Sequence, residues 1–178
     1  RRLYLAIDLL LGRISPNISV SLRATNGDVL AGYYDYLNDL GWLSPDWQIF
    51  CGHDWHYLDG ARRARQLTRH HDRRLDQLRA ASAQQTTADA IETLFPMELT
   101  DHEIYFASCE ARAHLNHLVT RGEMVREMTG GVAWFTKAYL RTGGKVAALA
   151  AIDSPRPVRH NRTRPTQGRR SDERRLQI

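Results

Sequence analysis

Two short apolar stretches near the amino end, Leu3-Tyr4-Leu5-Ala6-Ile7 and Trp47-Gln48-Ile49-Phe50-Cys51-Gly52, are each closed by a polar residue, Asp8 and His53. Runs of this length, bounded by turn residues, predict buried strands. Between them Tyr33, Tyr34, Leu37 and Leu40 recur at helical spacing, and Gly41 stands where a left-handed glycine would close a helix. Ser15-Pro16-Asn17, Asn26-Gly27-Asp28 and Ser44-Pro45-Asp46 mark the turns. Residues 1–58 therefore predict strand, loop, helix, strand, an α/β unit in which His53 leaves the second strand.

From Asp59 to about residue 81 the pattern becomes that of one long connecting helix. Ala61, Ala64, Leu67, His71, Leu75 and Leu78 form one stripe, and Arg62, Arg63, Arg69, Arg73 and Arg74 lie mainly elsewhere. Residues 82–137 predict a second, α+β unit. Thr86-x-x-Asp89 reads as a capping box for a short helix carrying Ala90, Ile91, Leu94 and Phe95 and ended by Pro96. Asp101 to Arg121 follows as a longer helix stopped by Gly122. Met124–Met128 and Val132–Thr136, joined through Thr129-Gly130-Gly131, then read as a hairpin, so the unit has the order of a winged helix. Beyond residue 138 the pattern decays into a tail, expected to be mostly disordered by composition.

Charge sharpens this division. The net charge of the 178-residue chain is +5, and residues 153–178 alone hold eight arginines against Asp153, Asp172 and Glu173. The body is therefore neutral, and the basic balance reports the tail rather than a nucleic-acid-binding fold. Only Cys51 and Cys109 are present, which implies no disulfide framework. No apolar run approaches the ~18 residues of a membrane span, so no membrane partner is expected and the expected location is cytoplasmic. Arg1-Arg2 before a leucine-rich stretch resembles a signal peptide, but Asp8 interrupts the apolar run and no small-residue cleavage site follows.

Polar groups at the carboxyl tips of neighbouring strands meet in one crevice, so Asp8 and His53, 45 positions apart, can reach one cation. They are the candidate metal ligands. Cys51 reads as a small strand-end residue, and Asp54 or Asp59 is a candidate acceptor for the second nitrogen of His53. Asn17 and Tyr33 could line the cleft, but turn formation and packing explain them equally well. Adjacent His70 and His71 point about 100° apart on a helix, which is poor for one metal. Glu110, His114 and His117 share a helix face without a His-Glu-x-x-His motif, and read as packed or hydrogen-bonded.

With Ile14-Ser15-Pro16-Asn17-Ile18-Ser19 between the two ligands, and Glu110-x-x-Ala113-His114-Leu115-x-x-Leu118-x-x-x-Gly122 downstream, the chain resembles the metallo-β-lactamase-fold hydrolases from about residue 3 to residue 137. The branch it is most similar to is glyoxalase II-like, with an added C-terminal winged helix. The resemblance implies the C-terminal part of an αββα sandwich, with Asp8 bridging two zinc ions and His53 ligating one. It also implies hydrolysis of a small-molecule ester, thioester or related bond. Ile7 stands where the family commonly has glycine, and Asp54 where a small residue is usual. The family's His-x-His-x-Asp-His cluster is absent, since no histidine precedes His53. The expectation is a C-terminal portion that binds metal weakly and catalyses little alone. The alternative is a winged-helix module for nucleic acid or protein interaction, including pairing of two copies as a homodimer. Its longer helix carries Asp101, Glu103 and Glu110 against Arg112 and Arg121, too acidic for a groove-reading helix.

Overall fold

A computed structural model of the chain describes residues 2–147 apart from 22, 54 and 141–145. The predicted tail from 148 onward lies outside the described residues, as does Asp54. Strand β1 (Leu3–Ile7) and strand β2 (Gln48–Cys51) pair in parallel, and β3 (Tyr57–Leu58) adds antiparallel to β2, giving the sheet order β1-β2-β3. A crossover containing α1 (Val29–Asp39) joins the parallel pair, as parallel pairing requires. Tyr4, Ala6 and Ile49 face the core, whereas Leu3, Leu5, Ile7, Phe50 and Leu58 lie exposed, Leu5 by 75 %. The sheet thus presents a contiguous apolar face that is uncovered among the described residues.

Helix α1 begins at Asp28, whose carboxylate accepts from the Ala31 N–H. Its end departs from expectation. Gly41 does not adopt the left-handed cap; the helix tightens into a 3-10 turn over Leu40–Trp42. Leu40 is buried there, and Trp42 stands edge-on to both Tyr4 and Trp47, so aromatic packing rather than glycine freedom sets the exit.

Helix α2 (Gly60–Ala80) buries the predicted stripe, with His71 inside it. Its start lies directly against β2: a Cβ at Gly60 would meet Ile49 Cδ1 at 2.7 Å. Strand β4 (Gln84–Thr86), helix α3 (Thr87–Leu94), helix α4 (Asp101–Thr120), β5 (Met124–Thr129) and β6 (Val132–Lys137) follow, with a second sheet ordered β4-β6-β5. The Thr86 and Asp89 capping box forms, and Thr100 with Glu103 forms another at α4. Gly122 takes the left-handed φ of 72° expected of it, and the hairpin turns through Gly130 and Gly131, both at positive φ. Two further short strands, β7 (Tyr139–Leu140) and β8 (Val146–Ala147), pair with each other. One hydrophobic core, from Ala6 through Leu67, Leu75 and Leu115 to Phe135, binds both sheets and the helices between them.

Candidate functional site

Because β1 and β2 are parallel neighbours, their carboxyl ends lie side by side, and the residues leaving them are brought together. Asp8 Oδ1 lies 3.6 Å from His53 Nε2, with both side chains open to solvent, 62 % and 69 % exposed. The register slips between Leu5 and Ile7, and Ile7 adopts a left-handed φ of 48°, rare for a β-branched residue. This bend turns Asp8 toward β2, where the Gly52 N–H donates to the Ile7 carbonyl at 2.8 Å. Gly52 leaves room for Asp8 in this position: a Cβ there would collide with Asp8 Oδ1. The Gly-His pair noticed in the sequence thus has a geometric reason.

The chain after Asp8 is held by side chains from three elements. Tyr33 of α1 donates its hydroxyl to the Leu9 carbonyl at 2.9 Å, Tyr57 of β3 donates to the Leu10 carbonyl at 2.9 Å, and Arg63 of α2 donates to the carbonyls of Leu11 at 2.6 Å and Ile14 at 2.8 Å. The carbonyls of buried Leu10 and Leu11 need such partners. Burial pushes the phenols of Tyr33 and Tyr57 well above the ordinary tyrosine range, so both remain protonated donors. Sequence reading missed this clasp, because its acceptors are backbone atoms of leucines. Tyr33 is thereby a positioning residue of the loop, while Asn17 accepts from Ser19 within its own turn.

Cys51 is only partly buried, and its thiol lies 2.9 Å from the His53 carbonyl and 3.5 Å from that of Trp55, bracing the loop that carries His53. Asp59 caps α2 by accepting from the Arg62 N–H, so it serves the helix rather than His53. Beside this loop a cleft of about 310 Å³ is lined by Gly12, Arg13, Trp55, His56 and Arg62 among others. It adjoins a cleft of about 390 Å³ lined by Arg13, Ser15, Arg63, Arg69, His70 and Arg73.

A second polar cluster lies between α2 and α4. His71, wholly buried, faces His114 with 3.1 Å between Nδ1 and Nε2, and His114 Nδ1 is 2.8 Å from the Glu110 carbonyl oxygen. Arg74 pairs with Glu110 at 2.7 Å and stacks over Phe95. Burial holds His71 down at about 2 and His70 and His114 at about 4, so all three are neutral imidazoles near pH 7. His117 turns away to Asp28 at 3.1 Å. His114 thus meets only the backbone carbonyl of Glu110 and His117 bonds elsewhere, so the three side chains do not converge as a set.

A carboxylate oxygen and an imidazole nitrogen at 3.6 Å suit a borderline divalent cation, and the left-handed Ile7 and Cβ-free Gly52 make room for the approach. Two donors fall short of the three protein ligands of a catalytic zinc site.

A family model described as "Metallo-beta-lactamase-like, C-terminal domain" matches residues 75–138. A solved beta-lactamase domain protein from Burkholderia ambifaria is 34% identical with a TM-score of 0.74, the match covering 77% of this chain and 42% of that one. A metallo-beta-lactamase family protein from Thermus thermophilus is 27% identical with a TM-score of 0.63, covering 76% of this chain and 42% of that one. No curated protein matches. The chain thus spans less than half the length of these two solved structures.

Proposed function

The chain belongs to the metallo-β-lactamase-like fold family, and on that premise we propose that Asp8 and His53 are two of the metal ligands of a hydrolytic site. The reading rests on one observation: side chains 45 positions apart converge to 3.6 Å at the tips of two parallel strands. A carboxylate has two oxygens and a negative charge, so Asp8 is suited to hold a pair of cations, and the His53 imidazole offers a nitrogen to one of them. A bound zinc pair supplies Lewis acidity toward the scissile ester or thioester carbonyl and toward the attacking water. The chain's own part is positional. The Leu9–Leu11 clasp and the Gly52 contact hold Asp8 against His53, and Cys51 braces the His53 loop.

The remaining ligands belong to a segment that packs on the apolar face of Leu3, Leu5, Ile7, Phe50 and Leu58, the second sheet layer of an αββα sandwich. Alone, the strand-tip pair holds a cation weakly. The test is a chimera in which the part of the Burkholderia ambifaria relative left uncovered by the match is joined ahead of Leu3, assayed on a thioester and a lactone. The expected outcome is zinc-dependent hydrolysis that falls at least about 100-fold in Asp8→Asn, as for loss of a group worth several kcal/mol at the transition state. A zinc-loaded, folded chimera whose hydrolysis is indifferent to Asp8→Asn and His53→Gln overturns the assignment.

For the α3, α4 and β4-β6-β5 unit, we favour pairing or packing against protein over nucleic-acid reading. Ile104, Tyr105 and Phe106 are exposed together on the first turns of α4, beside Asp101 and Glu103. Such an apolar, acidic surface suits a second copy better than a phosphate backbone.

A further inference from the structure

We infer that a second cation site, separate from the strand-tip pair, lies between α2 and α4 and takes a zinc-class divalent ion on His70, His71 and Glu110. Their ligand atoms, two imidazole nitrogens and a carboxylate oxygen, all lie within 4.8 Å of one another. On a single helix His70 and His71 diverge, and it is the facing helix α4 that closes the set by bringing Glu110 alongside.

The proton positions follow from the hydrogen bonds. A carbonyl oxygen can only accept, so His114 Nδ1, 2.8 Å from the Glu110 carbonyl, carries its proton. His114 Nε2 in a neutral ring is then a lone pair, and His71 Nδ1, 3.1 Å away, must carry the proton between them. His71 Nε2 is left as a bare lone pair. It is buried and has no hydrogen-bond partner among the described residues, and the same holds for His70 Nε2. The two tyrosines whose rings stand edge-on to His71 cannot supply a donor, because Tyr33 donates to the Leu9 carbonyl and Tyr34 to Asp72. A buried unpartnered acceptor is costly, and an electron-pair acceptor is what would satisfy it.

The arrangement has the parts of a zinc site. Two histidines and one carboxylate form a known zinc donor set with a fourth position for water. The run from His71 through His114 to the Glu110 carbonyl is the outer support that fixes a ligating imidazole's tautomer and orientation. Zinc bonds of ~2.0–2.2 Å place ligand atoms about 3.4 Å apart, so the widest separation in the group must close by about 1.4 Å. Side-chain rotation covers that distance.

Arg74 opposes the ion. It holds Glu110 Oε1 at 2.7 Å, and with Arg63 and Arg73 it raises the local positive potential. Arg63 is committed to the Leu11 and Ile14 carbonyls, and Arg74 has the Phe95 ring, 4.6 Å from its guanidinium carbon, to rest on when displaced. Arg74 therefore acts as the competitor for Glu110, and its removal strengthens the site.

The test uses the full chain carrying Asp8→Asn and His53→Gln, which removes the strand-tip pair and separates this site from the proposed hydrolytic one. Zinc binding is followed by calorimetry, and cobalt(II) by its visible absorption, with circular dichroism to confirm folding. One equivalent should bind. His70→Asn and Glu110→Gln should each weaken binding at least ten-fold, while Arg74→Gln should tighten it several-fold, a gain that a merely structural role for Arg74 cannot give. No saturable binding to the folded Asp8→Asn, His53→Gln chain overturns the proposal, as does binding that is unchanged in both Glu110→Gln and Arg74→Gln.

Discussion

The strand-tip pair and the interhelical cluster use the same side-chain types in opposite surroundings. Asp8 and His53 are more than half exposed, and in water their mutual attraction is worth little. Their proximity is imposed from behind, by strand pairing, by a left-handed Ile7 and by the clasp on the Leu9–Leu11 carbonyls. His71, His114 and Glu110 are instead enclosed, and their own hydrogen bonds and ion pair determine where they stand. An open site can therefore be emptied of function with little loss of stability, whereas the enclosed one cannot be altered without cost to the fold.

The largest effect expected from that contrast is at Glu110. Glu110→Ala leaves the partly buried Arg74 guanidinium without its carboxylate and should cost about 1–3 kcal/mol, measured by urea unfolding. A loss below about 1 kcal/mol would show that the pair carries no more weight than a surface contact.

Acid sharpens the same contrast. Folding depresses His71 and His114 below the ordinary histidine value of about 6.5, so the unfolded chain binds more protons than the folded one as pH falls. The stability from keeping them neutral is fully present above pH 6.5. It should be lost progressively as pH falls from about 6.5 towards 4, down to the pH at which the folded His114 begins to protonate. A flat stability profile across that window would contradict the buried, neutral assignment.

The smallest change in stability, with the largest local consequence, is expected at Gly52. Gly52→Ala puts a methyl where Asp8 Oδ1 stands, and because that carboxylate is exposed it can swing into solvent. Unfolding free energy should shift by about 0.5–1 kcal/mol. Hydrolysis by the chimera should fall with that of Asp8→Asn, and an unaffected rate would separate Gly52 from the positioning of Asp8.

What the sequence made legible follows from how each region is held. Strand tips are local features, so two apolar runs and the polar residues closing them were enough to bring Asp8 and His53 together on the page. The stripe of α2, both halves of the hairpin and the caps at Thr86 and Gly122 were legible for the same reason. Strands of two or three residues, β3 and β4, carry too few positions to show a period. The clasp was hidden because leucine side chains say nothing of where their carbonyls point. The nearness of Glu110 to His70 and His71 was hidden because the angle along one helix does not reveal what a neighbouring helix contributes. Gly41 shows the reverse error, a residue suited to a left-handed turn standing where buried Leu40 and the Trp42 ring choose a tighter one.

Helix α2 touches all of these regions. Its 21 residues span about 30 Å, with Arg63 near one end gripping the loop beyond Asp8, His70 and His71 at the middle, and Arg79 near the other end gripping Glu123 at the second sheet. It behaves as a strut: a push at its centre is felt at both ends, since a regular helix is stiff over this length. Hydrogen exchange at the amides of residues 9–12 should therefore report on events halfway along the rod, at a point where neither Asp8 nor His53 is touched.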